Sequence, residues 1–166
     1  METLLVLQPK RVVGEEYTVI KRINVLVVDD SDVDAFTVGA CLDGCPHVED
    51  HMRAHDGDEA LDIVQSGRFI PNLILLDLNM PNKDGFSFLK ELQVDKNNKR
   101  IPVAILSTSA RGLDFHRANV RRVPTYIVKP SRMSDLRKSL HGVCENVCLR
   151  RPPGHGLVRD VRSTAA

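Results

Sequence analysis

Short apolar runs alternate along this chain with stretches in which apolar residues recur at helical spacing. Four of the runs are rich in Val, Ile and Leu and end on a polar residue: INVLVV before the acidic pair at 29–30, LILL before Asp77, VAIL before Ser107 and YIV before Lys129. Such runs are typical of parallel strands that are buried on both faces of a sheet. A weaker strand pattern lies at 48–54.

The complete pattern predicts five strands and five helices. The strands are expected at 23–28, 48–54, 73–76, 103–106 and 125–128, and the helices at 33–42, 58–65, 86–94, 113–120 and 133–147. Alternation of this kind produces a parallel sheet with right-handed crossovers and helices on both faces. The predicted fold class is therefore α/β, a doubly wound five-stranded parallel sheet.

Composition favours one globular domain. The chain has 166 residues, of which 42% are apolar and 27% charged, and these values suit a single domain with a sizeable core. We expect an N-terminal extension over 1–22, the folded domain over 23–148 and a flexible tail over 149–166. The tail contains two Pro, two Gly and four Arg and has little apolar periodicity.

Charge and hydropathy exclude some classes of partner. The formal net charge of +1 supplies no general electrostatic attraction to nucleic acid or to an anionic membrane. No run of about 18 apolar residues is present, and no basic leader precedes the apolar run at the N-terminus. We therefore expect a cytoplasmic protein that contacts neither membrane nor nucleic acid directly.

Three carboxylates are predicted to meet at one edge of the sheet. Asp29, Asp30 and Asp77 follow or end buried strands, and the carboxyl ends of parallel strands share an edge where ligands bind. Close carboxylates repel one another unless a divalent cation lies among them. Because every candidate ligand is an oxygen, Mg²⁺ is the expected ion, and a backbone carbonyl near Asn79 would complete the protein ligands.

The same edge carries residues suited to phosphoryl chemistry. Asp77 is the candidate nucleophile because its strand is flanked by the other two carboxylates, and a bound cation would make its attack on phosphorus feasible. Lys129 is expected to pair with one phosphoryl oxygen and the Ser107 hydroxyl to donate to another.

Two turns near this edge invite local predictions. Pro130 restricts Lys129 to extended geometry, and we predict a cis peptide bond between these two residues. Asp84 and Gly85 are expected to open the third helix, with Gly85 supplying backbone freedom.

The four polar-ended segments together resemble the response-regulator receiver domain, the phosphoacceptor of two-component signalling. VLVVDDSDVD resembles the acidic-pair segment, LILLDLNMPNKDGF the phosphoacceptor segment, VAILSTSA the hydroxyl segment and YIVKP the lysine segment. The resemblance covers about 23–147 and implies a flavodoxin-like sheet with strand order 2-1-3-4-5. The segment DKNNKRIPVAILSTS is also similar to small stand-alone receivers that are paired with phytochromes.

This resemblance implies roles for individual residues. The implied metal ligands are Asp29, Asp30, Asp77 and, through its carbonyl, Asn79; the implied phosphoacceptor is Asp77, the phosphoryl partner is Lys129, and the switch residues are Ser107 and Tyr126. It further implies Mg²⁺ as cofactor and a sensor histidine kinase, phytochrome-type in the narrower resemblance, or a phosphotransfer protein as phosphoryl donor. The chain would then be a stand-alone receiver that switches the binding of an unidentified partner. Homodimerisation through the last helices or the N-terminal extension is a further hypothesis.

Two other readings of the acidic site remain open. A small phosphatase of the haloacid-dehalogenase type also uses a strand-end aspartate and magnesium, but its second acid falls here on Asn79, which cannot protonate a leaving group. The other alternative is a receiver-fold scaffold that is not phosphorylated.

The four cysteines also allow two interpretations. Cys41 and Cys45 are spaced to share one helical face, as are Cys144 and Cys148. Because the first and last helices are expected on the same side of the sheet, the four thiols are predicted to approach one another. Packing as small hydrophobic side chains is the favoured interpretation, with zinc binding or a redox role as the alternative.

Overall fold

A five-stranded parallel sheet forms the centre of the protein. The computed structural model describes residues 11–12, 15–16, 18–19, 22–80, 84–108 and 125–150. The strands of the sheet are β1 (Ile23–Val28), β2 (Val48–Ala54), β3 (Leu73–Asp77), β4 (Val103–Ser107) and β5 (Thr125–Val128). Their order is β2-β1-β3-β4-β5, and every neighbouring pair is parallel. The predicted fold class and strand order are confirmed.

Four helices are described around this sheet. They are α1 (Asp32–Asp43), α2 (Gly57–Ser66), α3 (Gly85–Val94) and α4 (Met133–Cys148). The helix predicted at 113–120 falls outside the described residues. The other predicted bounds lie within one residue of the observed ones.

Side-chain caps explain why three helices begin earlier than their apolar pattern. Ser31, Asp56 and Asp84 each have extended backbone, and each side chain accepts a hydrogen bond from the backbone N–H three residues further on. Such caps satisfy N–H groups that the first helical turn leaves without partners. The helices therefore start directly after the cap, before the first buried side chain.

The sheet separates two apolar cores. Alternate strand residues such as Val25 and Leu75 face α1 and α4, whereas Leu26 and Leu76 face α2 and α3. This alternation follows from the two-residue period of a strand. The first and last described helices lie on one side of the sheet, as predicted.

All four cysteines are free and buried in the core between α1, α4 and the sheet. Burial raises the pKa of the Cys41, Cys144 and Cys148 thiols, which disfavours the reactive thiolate. Their surroundings are those of small hydrophobic side chains. Packing remains the favoured interpretation.

Short strands flank the five-stranded sheet. Arg11–Val12 pairs with Glu15–Glu16, and Thr18–Val19 pairs antiparallel with Leu149–Arg150 directly after α4. The second pair joins a segment that precedes β1 to one that follows the last helix. The boundaries at residues 22 and 148 remain predictions. None of the helices within the described ranges is long and apolar enough to cross a membrane.

Candidate functional site

Three carboxylates converge at the carboxyl edge of the sheet. Asp29 and Asp30 follow β1, and Asp77 ends β3, the neighbouring strand. One carboxylate oxygen from each lies within 4.8 Å of the other two. Asp29 and Asp77 are buried and Asp30 is exposed. The structure therefore brings together the three acids that the sequence singled out.

The two buried carboxylates have matching hydrogen bonds. Oδ1 of Asp29 accepts from the Ser31 N–H at 2.9 Å, and Oδ1 of Asp77 accepts from the Asn79 N–H at 3.0 Å. Each bond spans two residues, as is common where Asp begins a turn. Burial raises the pKa of Asp29, while its contacts with Lys129 and the Ser31 N–H oppose that rise. Both side chains are thus oriented by local backbone.

Lys129 is the central cation of the site. Its Nζ donates to Asp29 Oδ2 at 2.8 Å and to Asp77 Oδ2 at 3.0 Å, and a third bond, of 2.6 Å, goes to Asp34 Oδ2. Burial disfavours the charged amine, but the three carboxylate contacts outweigh this effect and hold the pKa of Lys129 above its usual range. The ammonium therefore remains charged among three carboxylates.

The backbone after β5 aligns this lysine with β4. The Lys129 N–H donates to the Ser107 carbonyl oxygen at 2.8 Å, which continues the ladder between the two strands. The peptide bond between Lys129 and Pro130 is trans, so the predicted cis bond is wrong. The trans form is the ordinary preference of X–Pro bonds, by about 0.5–1 kcal/mol.

The remaining predicted residues occupy different depths. Ser107 is 1% exposed at the end of β4, beside the strand that ends in Asp77. Tyr126 in β5 is half-buried against the core that includes α2 and α3, and Asn79 is exposed. Their roles as switch residues and carbonyl ligand remain predictions.

Arg53 is a contributor that the sequence analysis missed. Its Nε donates to the Asp29 carbonyl oxygen and its Nη2 to the Asp30 carbonyl oxygen, both at 3.1 Å. Nη1 bonds to Asp32 Oδ1 at 2.6 Å, and this contact lowers the pKa of that carboxyl. Strand order could have indicated this role. Because β2 neighbours β1, a basic residue near the end of β2 lies beside the loop that carries Asp29 and Asp30.

Asp34 was also missed, although it lies in the first turn of α1 and contacts Lys129. Its available signal was the spacing Ser31-x-x-Asp34, which resembles a helix-capping box and placed an acid one turn beyond the acidic pair.

Gly85 serves this site by its small size. A Cβ at this position would lie 2.5 Å from the Asp77 carbonyl oxygen and 2.8 Å from Leu78 Cα. Among the glycines that the structure describes, positive φ occurs at Gly67. The expectation of backbone freedom at Gly85 is thus corrected: the helix start packs against the end of β3, where a side chain has no room. Asp84 opens the helix as predicted, accepting from the Ser87 N–H.

The donor set fits a hard divalent cation. Within the described ranges, Asp29, Asp30 and Asp77 are the one group of three or more potential ligands that is close enough to share an ion. Carboxylate oxygens in this number suit Mg²⁺ or Mn²⁺, whereas zinc sites favour sulfur and nitrogen. The site suits such a cation because all three ligands are carboxylate oxygens and because these oxygens lie close to one another.

Comparisons with known proteins agree with this geometry. Residues 25–141 match the family model of the response regulator receiver domain. Response regulator Rcp1 of Synechocystis sp. is 35% identical over 124 residues, which cover 72% of this chain and 84% of that protein. The probable methanogenesis regulatory protein FilR2 of Methanothrix harundinacea is 29% identical over 125 residues, covering 73% and 81% respectively.

Solved structures extend the likeness to the fold. The phosphorylated cyanobacterial phytochrome response regulator RcpA matches with a TM-score of 0.67 and 32% identity, over 75% of this chain and 92% of that one. The Mn²⁺-bound form of Rcp1 matches with a TM-score of 0.64 and 33% identity, over 73% and 91%. The resemblance predicted from the sequence is confirmed, and these relatives give the phosphatase alternative no support. The chain belongs to the response regulator receiver domain family.

Proposed function

We propose that this receiver accepts a phosphoryl group on the Asp77 carboxylate in a Mg²⁺-dependent reaction, and that the modification changes its binding to a partner. The donor would be a phosphohistidine of a sensor histidine kinase or of a phosphotransfer protein. The main support is that Lys129 contacts Asp77 Oδ2 at 3.0 Å while Asp29 and Asp30 offer further ligand atoms within 4.8 Å.

In the transfer step, an Asp77 oxygen forms a bond to phosphorus while the P–N bond of the phosphohistidine breaks. The imidazole nitrogen keeps the electron pair of that bond, and the product is an aspartyl phosphate. Oδ1 of Asp77 is held by the Asn79 N–H, which orients the carboxylate. Lys129 lies beside Oδ2 and would pair with a phosphoryl oxygen, and the Ser107 hydroxyl would donate to another.

Asp29, Asp30 and Asp77, with the Asn79 carbonyl, would hold the cation. When bound, Mg²⁺ neutralises the oxygens of the transferring group and so permits attack by a weak nucleophile. The metal also offsets the mutual repulsion of the three carboxylates. Both parts of this proposal are supported by similarity to the Mn²⁺-bound structure of Rcp1 and the phosphorylated structure of RcpA.

Switching would follow from the added charge. An aspartyl phosphate introduces about −1.5 to −2 charge by analogy with other phosphorylated side chains, which would draw Ser107 and Lys129 inward and favour a second packing of Tyr126. A coupling of about 1–3 kcal/mol would change partner affinity roughly 5- to 150-fold. Tyr126 is half-buried, so rotation would alter both core and surface.

Similarity to RcpA supports a phytochrome-type sensor kinase as donor. We further propose a cytoplasmic location and a receiver domain that spans 23–148 between its two flanking segments. In this proposal the protein catalyses no turnover beyond its own phosphorylation and dephosphorylation, and a homodimer is one partner to be tested. The downstream target is unidentified.

The central test is labelling with acetyl phosphate and Mg²⁺, followed by intact mass spectrometry. The wild-type chain should gain one phosphoryl group on Asp77 that is labile to acid, alkali and hydroxylamine, and chelation of Mg²⁺ with EDTA should prevent this labelling. Asp77→Asn should remain unlabelled. The matched variant Asp62→Asn, which removes an exposed carboxylate on α2, should label like wild type. Labelling of Asp77→Asn would contradict the assigned acceptor.

Two further measurements separate the alternatives. Phosphotransfer profiling against purified histidine kinases of the source organism should identify one that transfers faster than the others. Sustained turnover of an aryl phosphate would instead support a phosphatase, and a wild-type chain that no donor labels would support the scaffold hypothesis.

A further inference from the structure

Asp34 makes the shortest of the three carboxylate contacts with Lys129. Its Oδ2 lies 2.6 Å from Nζ, compared with 2.8 Å for Asp29 and 3.0 Å for Asp77. Asp34 does not belong to the three-acid cluster suited to a cation. A bound metal would therefore engage Asp29 and Asp77 and leave Asp34 as a partner of the lysine alone.

Local capping directs Asp34 towards this lysine. Ser31 caps α1, and Asp34 occupies the third helical position, where an acid commonly accepts a hydrogen bond from the N–H of the capping residue. Here the Ser31 N–H donates to Asp29 instead, while the Ser31 hydroxyl accepts from the Asp34 N–H at 3.2 Å. The Asp34 carboxylate is consequently available to reach across to the residue after β5.

The hydrogen-bonding capacity of Lys129 is fully used. An ammonium has three N–H donors, and three carboxylates accept from this one. In metal-free protein, a phosphoryl oxygen can bond to Lys129 only if one of these acceptors gives way. In metal-bound protein, where the cation would engage Asp29 and Asp77, Asp34 is the carboxylate that still competes for the ammonium. The side chains of Asp29 and Asp77 are 4% and 10% exposed, whereas that of Asp34 is 38% exposed. Asp34 loses least on release because water can solvate its carboxylate.

We propose that Asp34 is a positioning residue that holds Lys129 in the unphosphorylated protein and competes with the phosphoryl group for its ammonium. This inference rests on the proposed function of Asp77. While Asp34 is paired with Lys129, the ammonium interacts less strongly with an incoming phosphoryl group. Asp34 thereby lowers the affinity of the site for that group. Its carboxylate returns to Lys129 when the phosphoryl group leaves.

The test uses the full chain at saturating Mg²⁺, with beryllofluoride as the phosphoryl analogue and binding followed by calorimetry. Asp34→Asn should bind beryllofluoride roughly two- to five-fold more tightly than wild type, the range expected for a partly exposed ion pair. Asp34→Glu, which keeps a carboxylate on the same turn, should return binding towards the wild-type value.

The matched control is Asp32→Asn. It removes the same charge from the same helical turn, but Asp32 contacts Arg53 and its side chain is 88% exposed. Tightening in Asp34→Asn with unchanged binding in Asp32→Asn supports competition at Lys129. Equal tightening in both variants, or none in Asp34→Asn, overturns it.

A second readout does not depend on phosphoryl binding. Acylation of Lys129 by an amine-reactive acetyl ester, measured by peptide mass spectrometry in metal-free protein, should be faster in Asp34→Asn and unchanged in Asp32→Asn. If wild-type protein neither binds beryllofluoride nor accepts a phosphoryl group, the proposed function itself fails. If wild type binds and Asp34→Asn differs in neither readout, the competition inference alone fails.

Discussion

The centre and the rim of the acidic site use charge in different ways. At the centre, Lys129, Asp29 and Asp77 have side chains that are 11%, 4% and 10% exposed, and the lysine bonds to both carboxylates. At the rim, Arg53 and Asp32 are 25% and 88% exposed, and two of the three Arg53 bonds go to backbone carbonyls. The centre is a set of mutually dependent charges, whereas the rim supports the shape of a loop.

This difference determines what each charge contributes. A buried charge that loses its partner is left without adequate solvation, which commonly costs several kcal/mol. An exposed pair is screened by water and contributes about 0–1 kcal/mol. The same type of substitution should therefore have a large effect at the centre and a small one at the rim.

The largest effect is expected for Lys129→Met in metal-free protein. Loss of the ammonium leaves Asp29 and Asp77 buried without a cation, and we expect the free energy of unfolding to fall by roughly 2–3 kcal/mol. Urea unfolding at pH 7.5 measures this, with Lys138→Met on the exposed face of α4 as control. Wild-type stability in the variant would show that the three contacts contribute nothing.

The pH dependence of this difference follows from the raised pKa of Lys129. A raised pKa means that the folded state binds the proton more tightly, so the stabilisation is fully present below the ordinary lysine value of 10.5 and is lost as pH rises further. Lys129 does not titrate between pH 7 and pH 9, so the difference in the free energy of unfolding between wild type and Lys129→Met should stay constant over that range. It should narrow only in stronger alkali.

Gly85→Ala should disrupt the centre by displacing the backbone at the end of β3, which carries Asp77. The added Cβ would meet the Asp77 carbonyl oxygen at 2.5 Å and Leu78 Cα at 2.8 Å. Because both are backbone atoms that cannot easily shift, we expect a loss of about 1–3 kcal/mol. Gly142→Ala is the matched control: the residue lies inside α4, and apart from the adjoining helix backbone no atom of the described residues lies within 4 Å of its added Cβ. That variant should gain up to about 1 kcal/mol, since alanine favours helix. Equal effects in both variants would refute the packing argument.

Asp29→Asn should stabilise metal-free protein. Burial raises the pKa of Asp29. The stability that this carboxyl contributes is therefore fully present below its ordinary pKa of 3.8, and it is lost as the pH rises through the pKa of Asp29 in the folded protein. At neutral pH the charged side chain is therefore a net cost, and Lys129 keeps Asp34 and Asp77 in the variant. We expect the Tm to rise by about 2–4 °C in calorimetric scans with EDTA.

The same scans with Mg²⁺ provide the control. The cation should raise the Tm of wild type more than that of Asp29→Asn, because the variant lacks one proposed ligand. A lower Tm for Asp29→Asn in EDTA would show that the contact with Lys129 outweighs the cost of burying this charge.

The smallest effect is expected at the rim, for Arg53→Gln. Stability should change by about 1 kcal/mol or less, but the loop that carries Asp29 and Asp30 loses two carbonyl contacts. We expect Mg²⁺ affinity to fall by roughly two- to five-fold in calorimetric titrations, with Arg68→Gln on an exposed position as control. An effect as large as that of Lys129→Met would remove the distinction between centre and rim.

The elements that could be predicted are those with a strong local pattern. The strands ending at Val28 and Asp77 and the acids after β1 were evident because buried strands are continuous apolar runs and a polar residue at their end is conspicuous. Asp34 and Arg53 were missed because their important contacts join residues 95 and 23–24 positions apart. In the sequence, one resembles a helix-capping acid and the other an ordinary charge near the end of a strand.

The sequence by itself determined the alternation of strands and helices and the position of each reactive side chain at the carboxyl end of a strand. It thereby determined that Asp29, Asp77 and Lys129 converge at one edge of the sheet. These features depend on local periodicity and on the shared direction of parallel strands. Only the tertiary structure decided that Asp34 completes the lysine contacts and that Gly85 must be small. Those features depend on distances between separate elements, which are fixed when the helices pack onto the sheet.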